Sequence, residues 1–345
     1  MSHPQALTAS RYIAGVQQML AERGVDPAAL LCGTGISQAV VDDIDGYIDA
    51  RQLDCFLANA IELGADPAPG LALGRRLNLS AHGSAGFAGL TAADARQAMQ
   101  VAVRFFPLVT QAVELSFEED RAFANLRILP QPGLSPRCEQ FVIETLLSSI
   151  SLMAGFLLGE QAISLRLELP GESDPALLDG LAEIRDGVRF NRPGYRIRLP
   201  RDVLDTRFAL SDPQAHRLAL ARCEAELARL NRQGGFSQRL FRQLLAGNDP
   251  CPSIEDIARE LRVSSRTIHR RLAREGKCFR DIASSARMQR AKQLLDQGHG
   301  VTDTAHLLGY SDSANFTRAF RQHTGQTPTA FIAHSSGDGN QGTSG

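Results

Sequence analysis

Ser265, Arg266, His269 and Arg270 fall on one side of a helix whose other side carries Ile268 and Leu272. These residue types suit base reading. Arginine makes bidentate hydrogen bonds to guanine, and histidine donates or accepts at base edges. A second set repeats the scheme further on, with Ser313, Ala314, Thr317 and Arg318 opposite Phe316 and Phe320. This second face is smaller and less charged. It is expected to rely more on methyl contacts and phosphate bonds than on bidentate readout.

Both faces follow the same lead-in. Ile254-Glu-Asp-Ile-Ala-Arg-Glu-Leu-Arg-Val-Ser264 reads onto Val301-Thr-Asp-Thr-Ala-His-Leu-Leu-Gly-Tyr-Ser311 at an offset of 47, which becomes 48 after one insertion. In the first unit Ser253 is placed to cap a support helix, and Asp256 favours the same positive end. Ile254, Ile257, Ala258 and Leu261 form the predicted buried face, Val263-Ser264 the turn, and Ser264 the cap of the reading helix. In the second unit Thr302 is the expected cap, Leu307 and Leu308 the core, and Gly309-Tyr310 the turn. A helix from Phe279 to Gln297, ended by Gly298, separates the units. Nineteen residues give about 28 Å, a suitable spacer for two readers one DNA turn, about 34 Å, apart. Arg287, Arg290 and Lys292 on this helix are placed either for phosphate contact or as an ordinary solvated face. The pattern predicts an all-α domain with two helix-turn-helix units, reading two successive major grooves as a monomer or four as a dimer.

The charge distribution agrees. From Phe236 to His334 there are 15 Lys and Arg against 9 Asp and Glu, a net of +6; the rest of the chain holds 22 against 29, a net of −7. A basic module on an acidic body implies a polyanionic partner for the module alone. The six cysteines are scattered without a CxxC pair, which argues against a disulfide framework or structural zinc site and suits a reducing cytosol. No signal peptide and no apolar run approaching 18 residues is read from the sequence, so no membrane span is expected.

Ahead of the basic module the periodicity alternates. Helical spacing marks residues 12–31, 49–63 and 91–110, with Asp94 in the first turn of the last. Val113, Leu115 and Phe117, then Ala122, Ala124, Leu126 and Ile128, alternate around Glu118-Glu-Asp-Arg121, which predicts a hairpin. A long apolar helix over 137–159 follows, and then two further alternating runs at Ile163–Leu169 and Tyr195–Leu199. Helices flanking an antiparallel sheet make this an α+β domain. Residues 214–231 carry Leu220, Cys223, Leu227 and Leu230 at 3-4-3 spacing, either as a short dimer seam or as a stripe packed on its own domain. The predicted organisation is multidomain: 1–213 regulatory, 214–235 linker helix and boundary with a break at Gln233-Gly-Gly235, 236–334 DNA-binding, and a disordered Gly/Ser-rich tail over 335–345.

Enzyme chemistry has little support. There is no Gly-rich phosphate loop, HExxH or GxSxG. His82-Gly-Ser84 contains a candidate nucleophile without a positioned partner. It reads more simply as a turn, with Gly83 and Gly86 permitting close backbone packing. A DNA-repair or alkyl-transfer enzyme needs an activated cysteine, and no cysteine cluster supplies one.

The residues Gly309-Tyr-Ser-Asp-Ser-Ala-Asn-Phe-Thr-Arg-Ala-Phe-Arg321 with Thr324-Gly-Gln-Thr-Pro328, together with Ser264 to Phe279, resemble the AraC/XylS family of bacterial transcription regulators. Gly70-Leu-Ala-Leu-Gly74, His82-Gly-Ser-Ala-Gly-Phe87 and the stretch from Phe190 through Leu199-Pro200 to Leu204 are similar to the N-terminal domain of the ornithine-utilisation regulator subgroup. The resemblance implies a sensor domain for a small-molecule effector coupled to promoter binding, usually to activation and so to RNA polymerase, and allows a homodimer. The expected protein is a cytoplasmic, nucleoid-associated regulator of double-stranded promoter DNA, with no catalytic role, cofactor, metal or membrane partner. The alternative is a constitutive DNA-binding protein whose front domain only dimerises.

Overall fold

The computed structural model describes residues 6–336, except 65, 67, 132, 160–164, 182–186, 234–235, 247–251, 276, 297 and 325. Two compact units emerge, Gln5–Arg229 and the segment from Leu230 onward. Gly234-Gly235 of the expected break, Ile163, Gln297 and residues 337–345 lie outside the described residues.

The first unit begins with strand β1 (Leu7–Ala9), helices α1 (Arg11–Ala21), α2 (Pro27–Leu31) and α3 (Gln38–Asp42), strand β2 (Tyr47–Asp49), and helices α4 (Ala50–Gly64), α5 (Pro69–Gly74), α6 (Gly83–Leu90) and α7 (Ala95–Phe105). Asp94 is the N-cap of α7, accepting from the Gln97 amide, and so sits just before the first turn. Pro107 sits in a 3-10 turn, Phe106–Leu108, because it cannot donate in a continuing helix.

Next come the hairpin β3 (Val113–Glu119) and β4 (Phe123–Pro130), helix α8 (Pro136–Leu158), strand β5 (Arg166–Glu168), helix α9 (Pro175–Gly180), strands β6 (Val188–Arg189) and β7 (Tyr195–Pro200), and helix α10 (Pro213–Gln233). The five-stranded sheet runs β3-β4-β7-β5-β6. It is not wholly antiparallel as expected, because β5 and β6 pair in parallel. Alternation puts Leu115, Leu126, Ile128, Leu167 and Ile197 on one face, in a core shared with Ile143 and Leu147 of α8. A second core gathers Ile13, Val16 and Leu20 of α1 with Phe56 and Leu57 of α4.

Helix α8 is long and apolar enough on average to cross a membrane, although no uninterrupted apolar run in it approaches 18 residues. Its 23 residues contain a window of mean hydropathy 1.9, enough by length and composition to span, though 44% of that window is buried inside the unit. Its apolarity serves the core, where α5 lies tightly against it. A Cβ on Gly70 would fall 2.4 Å from the Phe141 carbonyl oxygen, and one on Gly74 2.5 Å from that of Thr145. Only glycine permits this approach.

The second unit is helical: α11 (Phe236–Ala246), α12 (Ile254–Glu260), α13 (Ser265–Arg274), α14 (Phe279–Asp296), α15 (Val301–Leu307), α16 (Ser313–Thr324) and α17 (Pro328–Ser336). Helix α17 includes Ser335 and Ser336, the first residues of the expected tail. Two cores divide α14 between them. Ile282, Ala283 and Ala286 join Ile257, Ile268 and Leu272, whereas Met288, Ala291, Leu294 and Leu295 join Leu308, Phe316 and Phe320.

Candidate nucleic-acid interface

In the first helix-turn-helix unit, Ser253 caps α12 in a full capping box: its hydroxyl accepts from the Asp256 amide, and the Asp256 carboxylate accepts from the Ser253 amide. The Ser253 hydroxyl bond is the main cause holding the Asp256 carboxyl below its usual range. Ser264 caps α13, accepting from Thr267 N at 3.2 Å. Ile268 and Leu272 are fully buried, so Arg266, His269 and Arg270 turn outward and are exposed, with Ser265 half-buried at the helix start.

The second unit repeats the turn bond for bond. Val263 N donates to Ala258 O, and Tyr310 N to Ala305 O, both at 2.9 Å. Phe316 and Phe320 are fully buried, which leaves Ala314 and Arg318 exposed and Ser313 and Thr317 half-buried on the opposite side. These four, with Arg321, Gln322 and Thr327, line an open groove of about 840 Å³ along α16. Arg321 was not singled out in sequence; its place one turn after Arg318 was the available signal.

Several expectations need correction. Thr302 does not cap α15: Gly300 occupies the cap position, without a side-chain bond. The extra residue of the second unit is Ser311, because Asp312 takes the capping role of Ser264. Its carboxylate accepts from Asn315 N at 2.7 Å, the chief reason its carboxyl lies below the usual range. Leu261 and Leu307 are not core residues; they are 37% and 39% exposed, whereas Leu308 is buried. Arg287 and Arg290 are half-buried rather than displayed. The Arg287 guanidinium lies 5.8 Å from the Tyr310 ring centre, and Arg290 donates to Gln293 at 3.4 Å.

Glu275, just past α13, was not anticipated. Its carboxylate accepts from the Phe236 amide at 2.6 Å and the Ser237 amide at 3.0 Å, capping α11. Burial pushes this carboxyl up, but the bonds from Ser237 and Phe236 outweigh it and leave it below the usual range.

His82-Gly-Ser84 forms no catalytic pair. His82 bonds Tyr12 and Ser149, while Ser84 donates to Glu226 at 2.6 Å. Within the first unit, Cys223 of the 3-4-3 stripe is fully buried and Leu220 and Leu227 are half-buried, while on the same helix His216 donates to Ala88 O at 2.9 Å and Arg229 pairs with Asp45 at 2.6 Å. Among the described residues no group of three His, Cys, Asp or Glu is arranged to hold a metal.

Two support helices, each presenting a following helix with an exposed outer face, define a DNA-binding transcription regulator of the helix-turn-helix class. Residues 257–334 match a helix-turn-helix domain, and residues 24–208 match the arabinose-binding N-terminal domain of the AraC transcription regulator. The chain belongs to the AraC family. It is 32% identical over 93% of its length to the ornithine utilization regulator of Pseudomonas aeruginosa, covering 94% of that protein. It is 27% identical over 93% of its length to the regulator VirS of Mycobacterium tuberculosis, covering 94% of it. The solved structure of the regulator CdpR from Pseudomonas aeruginosa is similar at 26% identity, covering 93% of this chain and 98% of that one, with a TM-score of 0.47.

Proposed function

We propose that this regulator is an activator: it binds specific promoter sequences through the outer faces of α13 and α16, and a small-molecule effector in the N-terminal unit controls it. The observation that carries this reading is the duplicated, outward-facing pair of helices, one rich in arginine, on a basic segment behind an acidic one. Ser265, Arg266, His269 and Arg270 would read one groove, and Ser313, Ala314, Thr317 and Arg318 the next. Arg287 and Arg290 would serve the phosphates at most through their outer edges. The working division is 1–213 for sensing, 214–235 for connection and 236–334 for DNA.

Two copies are proposed to pair through the outer face of α10. Leu218 is 67% exposed, and Ala221, Ala225 and Ala228 continue the same face. Activation requires contact with RNA polymerase, and hence action where the chromosome lies. Genome-wide mapping of bound sites, followed by footprinting and transcription at those promoters with metabolites suggested by the neighbouring genes, tests the proposal. Site-specific footprints and transcription that rises with one metabolite are expected. Specific footprints that no metabolite changes would leave a constitutive binder, and lowered transcription would make it a repressor.

A further inference from the structure

A partly open cavity of about 80 Å³ lies in the N-terminal unit, walled by α1, α4, α5 and α8. Its surface is almost wholly apolar, built from residues such as Val16, Leu53, Leu57, Leu73 and Phe141. Tyr12, His82 and Ser149 stand at one end, and Thr8, Thr110 and Thr145 also line it, but their polar atoms present almost none of its surface.

The direction of the hydrogen bonds at that end follows from counting protons. Ser149 has one hydroxyl hydrogen and donates it to Leu77 O at 3.0 Å. Its 3.2 Å contact with His82 Nε2 therefore has the imidazole as donor. A neutral ring with its proton on Nε2 leaves Nδ1 as acceptor, and Tyr12 donates to it at 2.8 Å. Burial, with Arg11 nearby, pulls the His82 pKa down to about 4, so the ring is neutral near pH 7. Burial raises the Tyr12 phenol well above its ordinary value. Tyr12 has then used its only hydrogen, and its oxygen lone pairs remain to accept. The walls carry no charge at neutral pH, and few groups could satisfy several ligand hydroxyls.

We propose that this cavity is the effector site and takes a small, uncharged, chiefly apolar molecule. This rests on reading the N-terminal unit as a sensor and names the chemistry it senses. A charged amino acid would lose its hydration here with no charged residue in the cavity wall, and a sugar would bury hydroxyls without partners. An apolar cavity of about 150 Å³ admits benzene, so a void of about 80 Å³, roughly half as large, suits a short alkyl chain rather than a ring. The Tyr12 end also adjoins α10. His82 directly precedes α6, and α6 holds α10 through Ser84–Glu226 and through His216 to Ala88 O. A ligand that packs against Tyr12 and His82 acts on the seat of that helix.

The test uses the full chain with labelled Leu and Val methyls and three probes of one shape: 1-butanol, butylammonium and butanoate. The methyls of Val16, Leu57 and Leu73 are expected to shift saturably with 1-butanol, and roughly tenfold or more weakly with the two ions, because burying an unpaired charge is costly. Leu146→Phe, which fills the void, should abolish the response. If that variant does not fold, the site assignment is read from the wild-type methyl shifts alone. Equal response to the three probes, no saturation, or shifts elsewhere would overturn the proposal. Failure of the sensor reading looks different: the cavity would fill with butanol while DNA occupancy stays insensitive to every ligand. An inducer that changes DNA occupancy but shifts methyls outside the cavity would keep the sensor and refute this site.

Discussion

Arg262 and Gly309 occupy the same step of the two helix-turn-helix turns, and both have left-handed backbone, at φ 54° and 77°. Each amide closes the end of its support helix, Arg262 N onto Arg259 O and Gly309 N onto His306 O. The second unit uses the residue suited to this conformation; the first tolerates a bulkier one.

This asymmetry predicts opposite mutational signs. Arg262→Gly is expected to leave stability level or raise it by up to about 1 kcal/mol, and Gly309→Ala to lower it by about 1–2 kcal/mol, since left-handed backbone costs an L residue about that much. Thermal and urea unfolding of the two variants gives the comparison. A loss in both would mean that the Arg262 side chain contributes more than its backbone costs.

On DNA, Arg266→Ala and Arg270→Ala are each expected to cost about 1–3 kcal/mol of specific binding if they contact bases bidentately. Both side chains are exposed opposite buried Ile268 and Leu272. Competition between a mapped site and random DNA separates base reading from phosphate contact. Equal losses on both DNAs would assign the arginines to phosphates.

Helix α10 gives a contrast between its faces. Leu218→Glu on the exposed face should weaken self-association while leaving unfolding nearly unchanged. Leu227→Glu, on the half-buried side beside Glu226, should instead destabilise the N-terminal unit by a few kcal/mol, on the order expected for burying an unpaired charge. Sedimentation and unfolding of both variants test the assignment. Loss of self-association in Leu227→Glu alone, with full stability, would return the seam to the Leu220 and Leu227 side.

Acid should loosen the N-terminal unit through His82. An unfolded histidine titrates near 6.5, whereas burial brings this one to about 4. The unfolded chain therefore takes up the proton first. Stability contributed by the neutral ring is complete above pH 6.5 and is lost as pH falls from there through 4, in total on the order of 3 kcal/mol. Unfolding free energies of the wild type and His82→Gln across this range should differ in slope. Parallel profiles would place the titration elsewhere.

The reading faces were legible in sequence because a helical period fixes both sides at once: burying Ile268, Leu272, Phe316 and Phe320 dictates what faces out. Leu261 and Leu307 were misread because apolar type alone does not show which side of a short helix a neighbour covers. The second core gains Phe331 and Ile332 of α17, which pack against the cluster holding Leu308. The parallel β5–β6 pair was hidden by strands too short to carry a pattern. The cavity could not be read at all: Tyr12, His82 and Ser149 lie far apart along the chain, and only the packing of α1 and α8 brings them within hydrogen-bond reach.

The division of α14 between two cores has a consequence for target sites. Eighteen residues span about 27 Å, and one end is locked to each reading unit. The two readers are thus tethered by a strut, not a string. Once one docks, the other is held at a high effective concentration, but only over DNA in the matching rotational phase. Inserting half a helical turn between the two subsites should abolish the avidity gain, whereas a flexible tether would keep much of it.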